Sequence, residues 1–310
     1  MFSVIALHSF CASMEWRLAN LFYESAVIGV PLFFMVSGYL LIGKHTVDKK
    51  YVYKKIFNIT KLIIILSMIW WIVTAVISGH LIIVDFFKIF LGAFVQKGSL
   101  WICWYLASMI IIYCLLPILN RLYVYRSYWY VLFLLFAIEV IVFYLNIGGK
   151  YGEYNIIQTF RIWNWLFYFL LAGGIKKSQI IINQSLLKLF IILLLILNIF
   201  FQEVLKPIID TPFCEYFYSS FPVILLSTSL FLFIINCKVT NPSICRFVNF
   251  MSPLFLPVYL FHPIFLDLLS NLPLSESVKP YICFLLTSLL SICCCSCLNK
   301  VRWINRILKI

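Results

Sequence analysis

The chain is 310 residues long and carries a net charge of +13, yet only 11% of its residues are charged, 64% are apolar, and the mean hydropathy is +1.04. A water-facing surface cannot be built from so little charge, so lipid must cover much of the molecule. The basic excess does not indicate a nucleic-acid partner, because Lys and Arg fall in short loops between apolar stretches, where they set orientation in a bilayer.

Apolar segments fall at about 1–14, 26–43, 61–83, 100–119, 128–146, 162–175, 186–201, 219–237, 248–269 and 280–298. A helical span takes roughly 20 residues. The pattern predicts an all-α polytopic bundle of about ten transmembrane helices. With no long polar segment, linker or repeat, the whole chain 1–310 reads as one integral membrane domain. The first segment is short, reaching only about 21 Å as a helix against a hydrocarbon core of about 30 Å. Residues are therefore expected to precede Met1. No basic region stands ahead of its apolar run, so no cleavable signal is expected.

His8 lies inside that first segment, and an ionisable residue within a span is a functional candidate by default. The alternative is a bond to a neighbouring helix. Toward the end of the second segment, Ser37 and Gly38 suit either close helix approach or an opening for a ligand. The loop that follows holds Lys44, Lys49, Lys50, Lys54, Lys55 and Lys61, and later even-numbered loops add Arg121, Arg126, Lys176, Lys177, Lys188, Lys238 and Arg246. The odd-numbered loops hold Glu15, Glu24, Asp85, Glu153, Glu203, Asp210, Glu215 and Glu276. With Lys300, Arg302, Arg306 and Lys309 in the tail, this asymmetry predicts cytoplasmic even loops and both termini inside.

Asp85 to Val95 is apolar but short, and predicts an amphipathic helix on the outer surface rather than a further span. Glu139, in mid-span, is expected to be protonated or paired and to face the bundle interior. Arg161 stands at the outer edge of the sixth segment beside Trp163 and Trp165, a set that suits sugar stacking or interfacial anchoring. His262 shares a helix face with Tyr259, and Pro257 and Pro263 flank it, freeing backbone carbonyls toward a polar cavity. Substrate contact and structural bonding are both open for it. The eleven Cys lie mostly in apolar stretches and read as small buried hydrophobes, with no metal site expected.

Four motifs then occur in order. Pro31-Leu32-Phe33-Phe34-Met35-Val36-Ser37-Gly38-Tyr39-Leu40-Leu41 follows Leu7-His8-Ser9 by about two dozen residues. Trp104-Tyr105-Leu106 precedes Tyr113 and Pro117. Arg161-Ile162-Trp163-Asn164-Trp165-Leu166-Phe167-Tyr168-Phe169 precedes Gly173. The last is Val258-Tyr259-Leu260-Phe261-His262-Pro263. Together they resemble the acyltransferase-3 family of membrane acyltransferases over nearly the whole chain. The chain departs from the family pattern in three places. The Arg usual about eleven positions before the first His would precede Met1, the basic pair opening the third span stands as Lys55 and Asn58, and Ile102 replaces a His before the Trp motif.

The resemblance implies transfer of an acyl group, usually acetyl, from acetyl-CoA or another acyl-CoA to a sugar hydroxyl. The acceptor would be a surface polysaccharide, such as a lipopolysaccharide O-antigen, or its lipid-linked precursor, at a bacterial inner membrane. No tightly bound cofactor is implied. His8 would be the catalytic base, because a neutral imidazole with a pKa near about 6.5 can take the hydroxyl proton and return it. Lys54, Lys55 and Lys61 would meet the donor's phosphates, with topology and anionic lipid as the alternative. Ser37, Trp104, Arg161, Tyr259 and His262 would contact substrate. A transporter or flippase of an acyl group or glycan precursor, or an inactive family member, are the competing readings.

Overall fold

The computed structural model describes residues 1–10, 17–44, 47–149, 153 and 155–301, and among these the chain is helical, with no strand. In chain order the helices are α1 (Phe2–Phe10), α2 (Arg17–Ala26), α3 (Gly29–Leu41), α4 (Lys49–Ser78), α5 (Ile83–Phe94), α6 (Trp104–Val124) and α7 (Ser127–Ile147). They continue with α8 (Ile162–Ser178), α9 (Gln184–Ile209), α10 (Phe221–Asn236), α11 (Pro242–Met251), α12 (Phe255–Ser270) and α13 (Lys279–Lys300). Every apolar segment of the sequence overlaps one of these helices. Glu15, Arg302, Arg306 and Lys309, which belong to the charge pattern, lie outside the described residues.

Local chemistry sets the boundaries. Asp48 caps α4 by accepting a hydrogen bond from Tyr51 N at 2.7 Å, and Asn183 caps α9 by accepting from Ser185 N and Leu186 N at 2.9 and 3.3 Å. At the far ends, α4 stops at Gly79 (φ +73°), while Gln179 closes α8 in the left-handed region (φ +48°).

Seven stretches of the described residues are long and apolar enough to cross a bilayer: Leu18–Leu41, Lys49–Ser78, Ile83–Val124, Ser127–Ile147, Gln184–Ile209, Pro242–Ser270 and Lys279–Lys300. The expectation of about ten counts three more segments, whose helices α1, α8 and α10 have only 9, 17 and 16 residues. Outward faces are what a lipid-embedded protein requires: α9 alone exposes Leu189, Phe190, Leu193, Ile196, Leu197 and Phe200. α5 has 12 residues, about 18 Å, too short to cross alone.

Two helices, α2 and α11, are not expected from the sequence as separate elements. α2 is joined to α9 by polar contacts: Glu24 pairs with Lys206, and its carbonyl accepts from Asn198 Nδ2 at 3.1 Å and Gln202 Nε2 at 3.3 Å. α11 leaves Ile244, Phe247, Val248 and Phe250 exposed.

At the centre, α3 and α8 lie closer than side chains normally permit. A Cβ on Gly38 would overlap the Phe169 carbonyl, and one on Gly173 would sit 2.8 Å from Ile42 Cγ2. The Ser37–Gly38 pair therefore divides its roles: Gly38 provides the close approach, while Ser37 Oγ lies 3.1 Å from Tyr105 Oη on α6. Above this crossing Phe34 stacks on Trp165 at 4.7 Å, and Trp165 meets Trp104 at 5.2 Å. These contacts lock α3, α6 and α8 into one rigid core.

Candidate active site

The site begins with a proline. Pro263 in α12 has no N–H, so the carbonyl of Tyr259, four residues earlier, has no helical partner. His262 Nδ1 takes it, at 2.8 Å, with the Val258 carbonyl at 3.2 Å. Carbonyls only accept, so Nδ1 carries the proton and Nε2 keeps its lone pair. That Nε2 is buried and has no hydrogen-bond partner among the described residues. His262 is thus bound structurally through one nitrogen, one of the two roles left open by the sequence.

His8 stacks on His262, ring centroids 5.5 Å apart and planes 18° from parallel. Trp101 meets His8 edge-on at 4.9 Å. Trp101 is placed by the loop before it, in which Gln96 (φ +57°) and Gly98 (φ +67°) turn the chain into the 3-10 segment Gly98–Cys103. Within that segment Ile102 is buried, and its carbonyl accepts from the Tyr259 hydroxyl.

His8, Trp101, Trp104, Tyr105 and Tyr259 line a cavity of about 60 Å³, with Gln96, Gln158, Glu215 and Tyr218 completing its polar wall. That is room for a few water molecules or a reacting group, not a whole substrate. Phe33, Tyr105 and Tyr259 are shared with a second cavity of about 270 Å³, which also includes Ser37, Met109 and Tyr113. A third, open basin of about 590 Å³ lies beyond Pro117 and is lined by Lys44, Lys49, Arg121 and Lys177 with Asp48 and Asn120. α6 borders all three: Trp104 and Tyr105 on the first, Tyr105 to Tyr113 on the second, Pro117 to Val124 on the third.

The structure therefore brings His8, Trp104, Tyr259 and, one ring behind, His262 together, with Ser37 on the adjoining cavity. Lys54, Lys55 and Lys61 do not line the basin; Lys54 and Lys61 are exposed, and Lys55 Nζ lies 5.7 Å from the Tyr51 ring. Arg161 reaches none of these cavities. It is 2% exposed, donating to the carbonyls of Ile156 at 2.8 Å, Glu153 at 3.0 Å and Glu215 at 3.4 Å, and ion-paired to the Glu153 and Glu215 carboxylates at 3.6 and 3.8 Å. Burial pushes the Glu153 carboxyl up to about 7 against the pull of Arg161. Glu139 on α7 is fully buried inside the bundle. Sequence reading did not single out Gln96, Gln158, Glu215 or Tyr218; the only local signal is their position in loops between spans.

Among known families, residues 1–300 match the acyltransferase-3 family, described as an acyltransferase domain. The chain belongs to the acyltransferase-3 family. No curated protein matches it, and no solved structure matches it. As an acyltransferase-3 member with several long apolar helices, the protein is an integral membrane acyltransferase. Its departures from the family pattern also acquire places: Ile102 packs in the core beside the histidine pair, and Asn58 follows Lys55 on α4, away from the basin.

Proposed function

We propose that this acyltransferase moves acetyl from acetyl-CoA to a sugar hydroxyl of a surface glycan or its lipid-linked precursor, in a bacterial inner membrane with both termini cytoplasmic. The observation that carries the reading is the line of three cavities along α6, from a basic basin to the His8 cavity. Donor phosphates suit Lys44, Lys49, Arg121 and Lys177, since point charges and a guanidinium fork both bind phosphate. The pantetheine arm then follows α6 through the second cavity past Ser37 and Tyr113. This places the thioester at His8.

There the acceptor hydroxyl gives its proton to a ring nitrogen of His8 while its oxygen attacks the thioester carbonyl. The C–S bond breaks, and the leaving thiolate recovers that proton from His8. No acyl-enzyme is required. Among the described residues the Ser37 hydroxyl meets Tyr105 and no base, which argues for direct transfer. His262 holds His8 in place by stacking on its ring.

Mass spectrometry of the host's surface glycans tests the reading. The mass increment of one acetyl group per modified sugar is expected with the gene and not without it; identical glycans would favour transport or an inactive relative. The basin is tested separately. Lys44→Glu combined with Arg121→Glu is expected to weaken acetyl-CoA binding by roughly 10- to 100-fold, from two lost charge-assisted contacts. Equilibrium dialysis with labelled acetyl-CoA measures it, and unchanged affinity would place the phosphates elsewhere.

A further inference from the structure

A cavity of about 60 Å³ at His8 accommodates a hydroxyl and a thioester carbonyl but no sugar ring, so the ring must lie next door. The second cavity on α6 is on the donor's route. On the other side, Trp101 and Ile102 are a shared wall between the His8 cavity and a fourth cavity of about 240 Å³, at the opposite end of α6 from the basic basin. Its remaining walls are Trp70 from α4, Gly98, Ser99 and Leu100, and one face of α12 made by Leu260, Pro263, Ile264 and Asp267. That spacing of three, four and seven places them on one side of the helix, beside the face carrying Tyr259 and His262.

Taking the O-acyl transfer reading as given, we infer that this cavity is the acceptor subsite and holds a pyranose ring with two adjacent free hydroxyls next to the one acylated. Three groups bordering it are unclaimed by the protein. The Asp267 carboxylate has no hydrogen-bond or ion-pair partner among the described residues, and neither the Trp70 nor the Trp101 indole N–H has one. A carboxylate accepts from two neighbouring hydroxyls at once, which few ligands other than a polyol offer. Two half-buried indoles give apolar faces for the ring's C–H side and N–H donors for its oxygens. No cation among the described residues lines the cavity, which does not suit a phosphate or a carboxylate. Trp101, which touches both this cavity and His8, sets the path by which the ring's hydroxyl reaches the base.

The test uses purified full-length protein in lipid nanodiscs. Saturation-transfer NMR with methyl α-D-glucopyranoside, -mannopyranoside and -galactopyranoside, and with a polyprenyl-phosphate-linked hexose, reads saccharide binding, while dialysis with acetyl-CoA reads the donor side. At least one probe is expected to bind wild type, and Asp267→Asn and Trp70→Leu are each expected to weaken it by tenfold or more. Asp267 is exposed and Trp70 half-buried, so neither change threatens the fold. Binding of the methyl glycosides would identify the ring itself as the recognised group; binding of the polyprenyl-linked sugar alone would identify a membrane-delivered acceptor, and the variants must weaken it equally. Saccharide binding that persists in both variants, or a wild type that binds acetyl-CoA but none of the four saccharides, would overturn the assignment. A wild type that binds saccharide through Asp267 and Trp70 but never binds acetyl-CoA would keep the subsite and sink the transferase reading.

Discussion

His8→Ala is expected to lower acetyl transfer by about 10²- to 10⁴-fold, the range general base catalysis contributes, with the protein still folded and in the membrane. The two halves of that expectation rest on different observations. His8 borders a cavity, and its recorded partners are the rings of Trp101 and His262, so truncation enlarges an existing void without orphaning a buried polar group. The neighbouring His262 offers no easy substitute as base, because its ring sits behind His8 and does not line the cavity. Glycan acetyl content in cells expressing equal amounts of wild-type and variant protein checks the result. Full acetylation by His8→Ala would remove His8 from the chemistry.

The second large effect is on stability. Arg161→Ala is expected to cost about 3–5 kcal/mol, because a buried cation is removed from two carboxylates and three backbone carbonyls. Arg161→Lys is expected to recover little of it: one ammonium cannot span donors directed to Glu153, Ile156 and Glu215 together. The loss should grow with pH. In the native protein the Glu153 carboxyl titrates near 7, above its ordinary value, so its contribution is fully present below about 4.5 and is lost as pH rises through about 7. Without Arg161 the folded pKa rises further, and the variant goes on losing stability where wild type has levelled off. Unfolding temperatures of both proteins in detergent between pH 6 and pH 9 measure this; curves that stay parallel would mean that the pair is not coupled as its geometry indicates.

Reading the chain located a helix at every apolar run, because length and hydropathy are local properties. α2 escaped it because it mixes Arg17, Asn20 and Glu24 with its apolar residues and is held by partners on α9, far along the chain. The site divides the same way. The carbonyl freed by Pro263 lies within one helical turn, so a polar environment for His262 was legible. The stacking of His8 on His262 was not, since residues 8 and 262 meet only through the packing of α1 against α12. Lys54, Lys55 and Lys61 drew notice as a dense basic run, but a basin is made where helix ends converge, and Lys44, Arg121 and Lys177 come from the loop after α3 and the last turns of α6 and α8. Arg161 was read with its aromatic neighbours in sequence, whereas its charge is answered by Glu215 from a distant loop.

α6 has one more implication. From Tyr105 to Arg121 it covers about 24 Å of helix, at 1.5 Å per residue, and it packs against α4, α7 and α8. The helix is a fixed gauge between an anion-holding end and a reacting end. A compact activated acid such as acetyl phosphate carries the same acyl group and a phosphate, but it can occupy only one mark on the gauge at a time. Selection among activated acyl compounds would then rest on reach, a property of the donor that neither its acyl group nor its charge reveals.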